Sequence, residues 1–225
     1  MKPERPRRLS FYRRLSAEQK REYDRSDGRR TLPLAPAAAL GDAADELVRV
    51  LEAGAPARVR GAAQRLVDGV CASLNERSRR KAAAVPRVKV LRTRPRRGQS
   101  EFHGLYTRFE NGECEIRVWM LTAAQGQIVK PRTFLRTLLH EVCHHVDMTL
   151  LDLPHSLHTL GFHARESSLL RALEQSGATI PGGRRASVAA EEPRANERPR
   201  AALQLDLFSR PSAGSSSDRR PERGD

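Results

Sequence analysis

The sequence predicts an α+β fold in which a small antiparallel sheet packs on one long amphipathic helix, with disordered basic tails on either side. Three observations carry that prediction. Residues 131–150 open with Pro131 and set Leu135, Leu138, Leu139, Val142 and Val146 at three- and four-residue spacing, the period of a helix with one apolar face. Just ahead, Phe102–Phe109 and Cys114–Met120 are rich in aromatic and β-branched residues and are separated by Asn111-Gly112, a strong hairpin-turn signal. At both ends the composition changes: the first 30 or so residues are strongly basic, and from Pro181 onward Pro, Gly, Arg, Ser and Glu dominate.

In chain order, residues 1–36 read as a basic arm with one short helix, which starts at Ser16 with Gln19 completing a capping box. The arm is charged without an apolar stretch, so it is not expected to be a signal peptide. Leu32 to Pro36 (LPLAP) reads as a linker. Residues 37–180 form the expected folded domain. Its helical lead-in (42–76) contains amphipathic helices over 42–51 and 57–74, the second with Val59, Leu66, Val70 and Leu74 on one face. A basic stretch follows, with Arg77, Arg79, Arg80, Lys81, Arg87, Lys89, Arg92, Arg94, Arg96 and Arg97, and within it Val88, Val90 and the residues around Leu91 suggest a strand. In the core (86–176), Ile116, Val118 and Met120 alternate with Arg117 and Trp119, as a strand between two environments should. A last helix over 162–175 packs Leu169, Leu170 and Leu173 and stops near Gly177. Residues 181–225 are expected to be a disordered tail, and no internal repeat is visible.

With 225 residues, 38% hydrophobic and 4% aromatic, the chain can build one core with polar extensions rather than a globule throughout. Cys71, Cys114 and Cys143 match no disulfide or zinc-ribbon spacing, which suits a reducing cytoplasm. No apolar run approaches the ~20 residues of a membrane span, so no membrane partner is expected. The formal net charge of +14 favours polyanions, of which nucleic acid is the commonest in the cytoplasm, and nucleoid association would follow.

The chemistry lies in LLHEVCHHVD. His140 and His144 stand at i and i+4, so on a helix their imidazoles lie one above the other and can grip one ion, with Glu141 beside the ion's open position. Zinc in such a site lowers the pKa of bound water to about 7, and the carboxylate can take its proton and later return it to a leaving amine. A catalytic zinc needs a third protein ligand. His155, His158, His163 and Glu166 are the candidates. His158, just ahead of a helix entry, is the best placed of them, whereas His155 and His163 read as surface or groove residues. Asp147 could orient a ligand imidazole or, with His145, form a solvated polar face; Arg165 and Tyr106 are candidates to stabilise an oxyanion.

His140-Glu141-x-x-His144 followed by His158-x-x-x-Phe162 resembles the SprT-like (Spartan-type) metallopeptidases over about residues 88–173. That resemblance implies a zincin-like core, a Zn²⁺ held by His140, His144 and His158, and an endopeptidase that acts on proteins bound or crosslinked to DNA, as in DNA repair. Two departures stand out: Thr159 occupies a position where the family usually has glycine, and no C-terminal zinc ribbon follows, so a DNA grip must come from the basic segments. In the tail, Gln204, Leu205, Asp206, Leu207 and Phe208 (QLDLF) resemble the peptide by which bacterial DNA-processing proteins bind the sliding clamp. Competing expectations are a general cytosolic zinc peptidase and a non-catalytic, zinc-stabilised DNA or clamp adaptor.

Overall fold

The structure is a computed structural model that describes residues 8–78, 83–93, 96–97, 100–101 and 103–182. After a 3-10 turn (Ser10–Arg14) come α1 (Ala17–Asp27), α2 (Ala38–Glu52), α3 (Pro56–Glu76), β1 (Arg87–Leu91), β2 (Arg96–Arg97), β3 (Ser100–Glu101), β4 (Gly104–Arg108), β5 (Cys114–Trp119), α4 (Pro131–Thr149) and α5 (Leu160–Gln175).

The local signals act as their chemistry requires. Ser16 Oγ accepts from the Gln19 N–H while Gln19 Oε1 accepts from the Ser16 N–H, closing the capping box that starts α1. α3 and α4 each begin on a proline, whose missing N–H falls where no helical partner exists. The β4–β5 turn closes with Phe109 N–H to Glu113 O, and Asn111 Oδ1 accepts from the Glu113 N–H. Gly177, at φ 97°, ends α5: its N–H reaches Glu174 O and the Ala178 N–H reaches Leu173 O, the paired bonds of a left-handed C-terminal cap.

The main sheet differs from the all-antiparallel expectation. Its order is β1-β5-β4, with β4 antiparallel to β5 (Tyr106 opposite Ile116) and β1 parallel to β5 (Val88 opposite Ile116). Burial sets which strand is central. β5 is covered on both faces, with Ile116 and Val118 towards the helices and Glu115 and Trp119 also buried, so it takes the centre. The hairpin fills one of its edges with β4 and leaves the other to β1. β2 and β3 form a separate two-stranded ribbon.

α4 lies across β4 and β5, α5 packs on α4, and α2 and α3 pair with each other, α3 also covering β1. The N-terminal segment is part of this body rather than a detached arm. α1 packs on α5, Tyr23 is fully buried, and Leu32 and Leu34 of the expected linker join the core. Arg13, Arg14, Arg21, Arg25, Arg29 and Arg30 stay on the exposed side. Among the described residues no helix is long and apolar enough to cross a membrane. The expected disordered tail from residue 183, the clamp-like peptide 204–208, and Arg79, Arg80, Lys81, Arg94 and Phe102 lie outside the described residues.

Candidate metal centre

α4 carries His140, Glu141 and His144 near its middle, where intrahelical hydrogen bonding fixes the backbone and one turn separates the two histidines. The chain then turns through residues 150–159 and presents His158 just before α5. Thr159 is the N-cap of α5: its Oγ1 accepts from the Phe162 N–H and pairs with Ser26 Oγ at 3.0 Å. Its φ of −79° needs no glycine, so threonine in this position keeps the turn and adds a cap. Phe162, one turn into α5, sets its ring 4.8–4.9 Å from the centres of all three imidazoles and forms an apolar floor beneath them.

His140, His144 and His158 converge, with one ring nitrogen of each lying within 4.8 Å of the others, and are close enough to hold a metal ion. His158 Nε2 is 3.0 Å from His140 Nε2 and 3.0 Å from His144 Nε2. The hydrogen bonds at the far side of each ring fix the tautomers. His140 Nδ1 lies 3.2 Å from Glu166 Oε2, a carboxylate that can only accept and that raises the histidine's pKa, so Nδ1 carries a proton, and Nε2 is bare in the neutral ring. Ser156 donates its one hydroxyl proton to Asp147 Oδ2 (3.1 Å), so its oxygen must accept from His144 Nδ1 at 2.8 Å, and His144 Nε2 is bare as well. At most one proton, on His158, then serves two lone pairs at hydrogen-bonding distance. A cation satisfies all three nitrogens at once: bonds of about 2.0–2.1 Å in tetrahedral directions set ligand atoms roughly 3.3 Å apart. The donor set therefore fits a metal.

Electrostatics agree. Burial, with the neighbouring His140 and His163, pushes His158 down to about 3, and burial with His140 and His158 pushes His144 well below the usual histidine value. Both remain neutral, as ligands must. Burial opposes the charge on Glu166, but the hydrogen bond from His140 and the nearby His163 and Arg136 hold its carboxyl well below the usual range. Its place as an ionised acceptor behind His140 follows.

Glu141 is buried, and its Oε2 has no hydrogen-bond partner among the described residues. The carboxylate rests on β4, where it accepts from the Tyr106 backbone N–H and lies over Gly104. A Cβ at Gly104 would come within 2.4 Å of Glu141 Oε1, so only glycine lets the carboxylate occupy this position. Burial pushes Glu141 up to about 7 against the pull of His140 and the Tyr106 N–H, near the value that suits a base at neutral pH.

The remaining sequence candidates fall elsewhere. Glu166 is not a ligand in this arrangement; it orients His140 and is itself held by Arg136 Nε at 3.0 Å. His163 is exposed, 3.8 Å from Glu166 Oε2, and His155 pairs with Glu22. Asp147 reaches His144 only through Ser156. Arg165 is fully buried, donating to Asp147, to Ser26 and to the Ser26 carbonyl, so it cannot serve as an oxyanion donor. The Tyr106 hydroxyl is also committed, at 3.1 Å from Cys114 Sγ and 3.2 Å from His145 Nδ1. His145 is buried there, not on a solvated face, and burial pushes it down to about 4. Sequence reasoning missed Ser156, Gly104 and Glu22. Of these only Gly104, a glycine inside a strand, carried a local signal.

Comparison of the chain with protein-family models, with curated proteins and with solved structures gives no match.

Proposed function

We propose that this chain is a zinc-dependent endopeptidase with a zincin-like core of the SprT-like type, associated with DNA and acting on proteins bound or crosslinked to it. The observation that carries the reading is the convergence of three imidazole nitrogens, two of them bare in the neutral rings, beside a buried glutamate with an unpartnered oxygen. Zinc bound there would acidify a water and polarise a peptide carbonyl. Glu141 takes the water's proton and returns it to the departing amine. Glu166 and Ser156 keep His140 and His144 turned inward, and Phe162 walls the site against solvent from below.

Among the described residues three histidines rather than four donors converge, which favours catalysis over a purely stabilising site, because closed structural zinc sites use four protein ligands. The DNA association rests on the net charge of +14, the exposed arginines around α1 and the clamp-like tail peptide. The test measures zinc content and cleavage of a DNA-bound protein, with and without DNA, for wild type and Glu141→Gln. The variant should keep its zinc and lose roughly 100-fold or more in rate. Undiminished cleavage removes Glu141 from the mechanism. A wild type that binds zinc and DNA yet cleaves nothing favours the adaptor, and cleavage indifferent to DNA favours a general peptidase.

A further inference from the structure

The loop that delivers His158 is held from outside, by a residue far away in sequence. Glu22 of α1 is 2% exposed, and its Oε1 accepts from two successive backbone amides, His155 N at 2.9 Å and Ser156 N at 3.0 Å. Its Oε2 faces His155 Nδ1 at 2.5 Å. Ser156 has φ 42°, a left-handed conformation that favours glycine and that a serine adopts only when its surroundings hold it there. Successive amides that include a left-handed residue form a concavity that binds an anion. Here the anion is a carboxylate of the same chain.

This concavity is tied to two of the three imidazoles. Ser156 is the residue whose hydroxyl accepts from His144 Nδ1, and His158 follows two residues later. Elsewhere α1 reaches the loop through Arg25, which donates to the Asp152 carbonyl at 3.2 Å, and the start of α5 through Ser26 on Thr159 and Asp27 on the Gly161 N–H. Among the described side chains of α1, Glu22 is the one that meets the His155 and Ser156 amides, sharing the Ser156 N–H with the Leu153 carbonyl. His140, oriented by Glu166, is independent of it.

We propose that Glu22 is a positioning residue of the metal centre: its carboxylate fills the Ser156 concavity and so fixes both the orientation of His144 and the approach of His158. The inference rests on the reading that His140, His144 and His158 bind a metal. α1 is then part of the site, although its sequence carries no metal-binding signature.

The experiment measures zinc affinity by chelator competition, the visible absorption of the cobalt-substituted protein, and thermal unfolding of the metal-free protein. The full chain is compared as wild type, Glu22→Ala, Glu22→Asp, Glu22→Gln, Ser16→Ala and His158→Ala. Glu22→Ala should weaken zinc binding roughly 10- to 100-fold, the usual effect of losing an outer partner, and should alter the cobalt spectrum. Glu22→Asp keeps the charge but not the reach and should behave similarly, which decides the matter should the alanine variant not fold. Glu22→Gln retains the accepting oxygen and should recover most of the affinity. Ser16→Ala loosens the start of α1 without touching the loop; it should lower the unfolding temperature and leave the cobalt spectrum unchanged. Wild-type affinity and spectrum in Glu22→Asp, alongside lost zinc in His158→Ala, would overturn the proposal while leaving the metal reading intact. An equal loss in Ser16→Ala would also overturn it, by making the effect one of helix docking in general. Equal zinc binding by wild type and His158→Ala would remove the metal reading itself, and this inference with it.

Discussion

Replacing Gly104 with alanine should disable the base and spare the metal. The new methyl would lie 2.4 Å from Glu141 Oε1, 2.8 Å from its Cγ and 2.9 Å from its Cδ, whereas ordinary contact begins near 3.4 Å. Relief therefore needs a carboxylate displacement of about 1 Å. The backbone at 104 is not in the left-handed region, so alanine is conformationally acceptable there. The yielding group is the end of a flexible side chain, so the fold should persist. Stiffening of the unfolded chain, worth about 0.4–1 kcal/mol, offsets part of the strain. Catalysis is less forgiving: proton transfer requires the base within about 2.6–3.2 Å, and a misplacement of 1 Å can cost roughly 100-fold, or about 2.7 kcal/mol in the barrier. The assay pairs kcat with zinc content and unfolding temperature. Near wild-type kcat would refute the position assigned to Glu141, and loss of zinc would show that the contact reaches the ligands.

Other perturbations separate the remaining roles. His158→Ala should empty the site, His163→Ala should leave it loaded, and Glu166→Ala should bind zinc about 10- to 100-fold more weakly because His140 loses its orienting acceptor; metal analysis ranks the three. Glu115 is buried beneath the sheet's outer face, and although burial opposes its charge, Lys89 at 2.8 Å and Arg117 at 2.6 Å hold its pKa below the ordinary 4.5. A depressed carboxyl contributes stability above its unfolded pKa and loses it as pH falls through the folded one. The unfolding-temperature gap between wild type and Glu115→Gln should accordingly be full at pH 7 and close on acidification below 4.5; a gap that widens in acid would contradict the pairing. A peptide spanning residues 201–210 should bind a bacterial sliding clamp at micromolar affinity, about 8 kcal/mol. Alanines at Leu207 and Phe208 should abolish that binding, and equal titrations by both peptides would make QLDLF a coincidence.

The sequence by itself determined whatever depends on neighbours a few residues apart. The spacing of His140 and His144 on an amphipathic helix, the Ser16–Gln19 capping box, the Asn111-Gly112 hairpin and the glycine stop after α5 all follow from helical period, side-chain capping or a backbone angle, and each formed as read. His158 was legible as a candidate because it stands at a helix entry one loop away. Tertiary structure alone decided the rest. β5 takes the centre of the sheet because it is buried on both faces, and β1 pairs parallel beside it, neither of which the alternation of β5 encodes. Leu32 and Leu34 of LPLAP became core where α1 docks on α5. Glu166 became an orienting acceptor when α5 came to lie along α4, with 26 residues separating it from His140. Glu22 meets Ser156 across 134 residues and Arg165 meets Ser26 across 139. Contacts at such separations leave no periodicity in the chain. They arise only when a buried polar atom must find a partner, and the partner is whatever residue the packing brings to it.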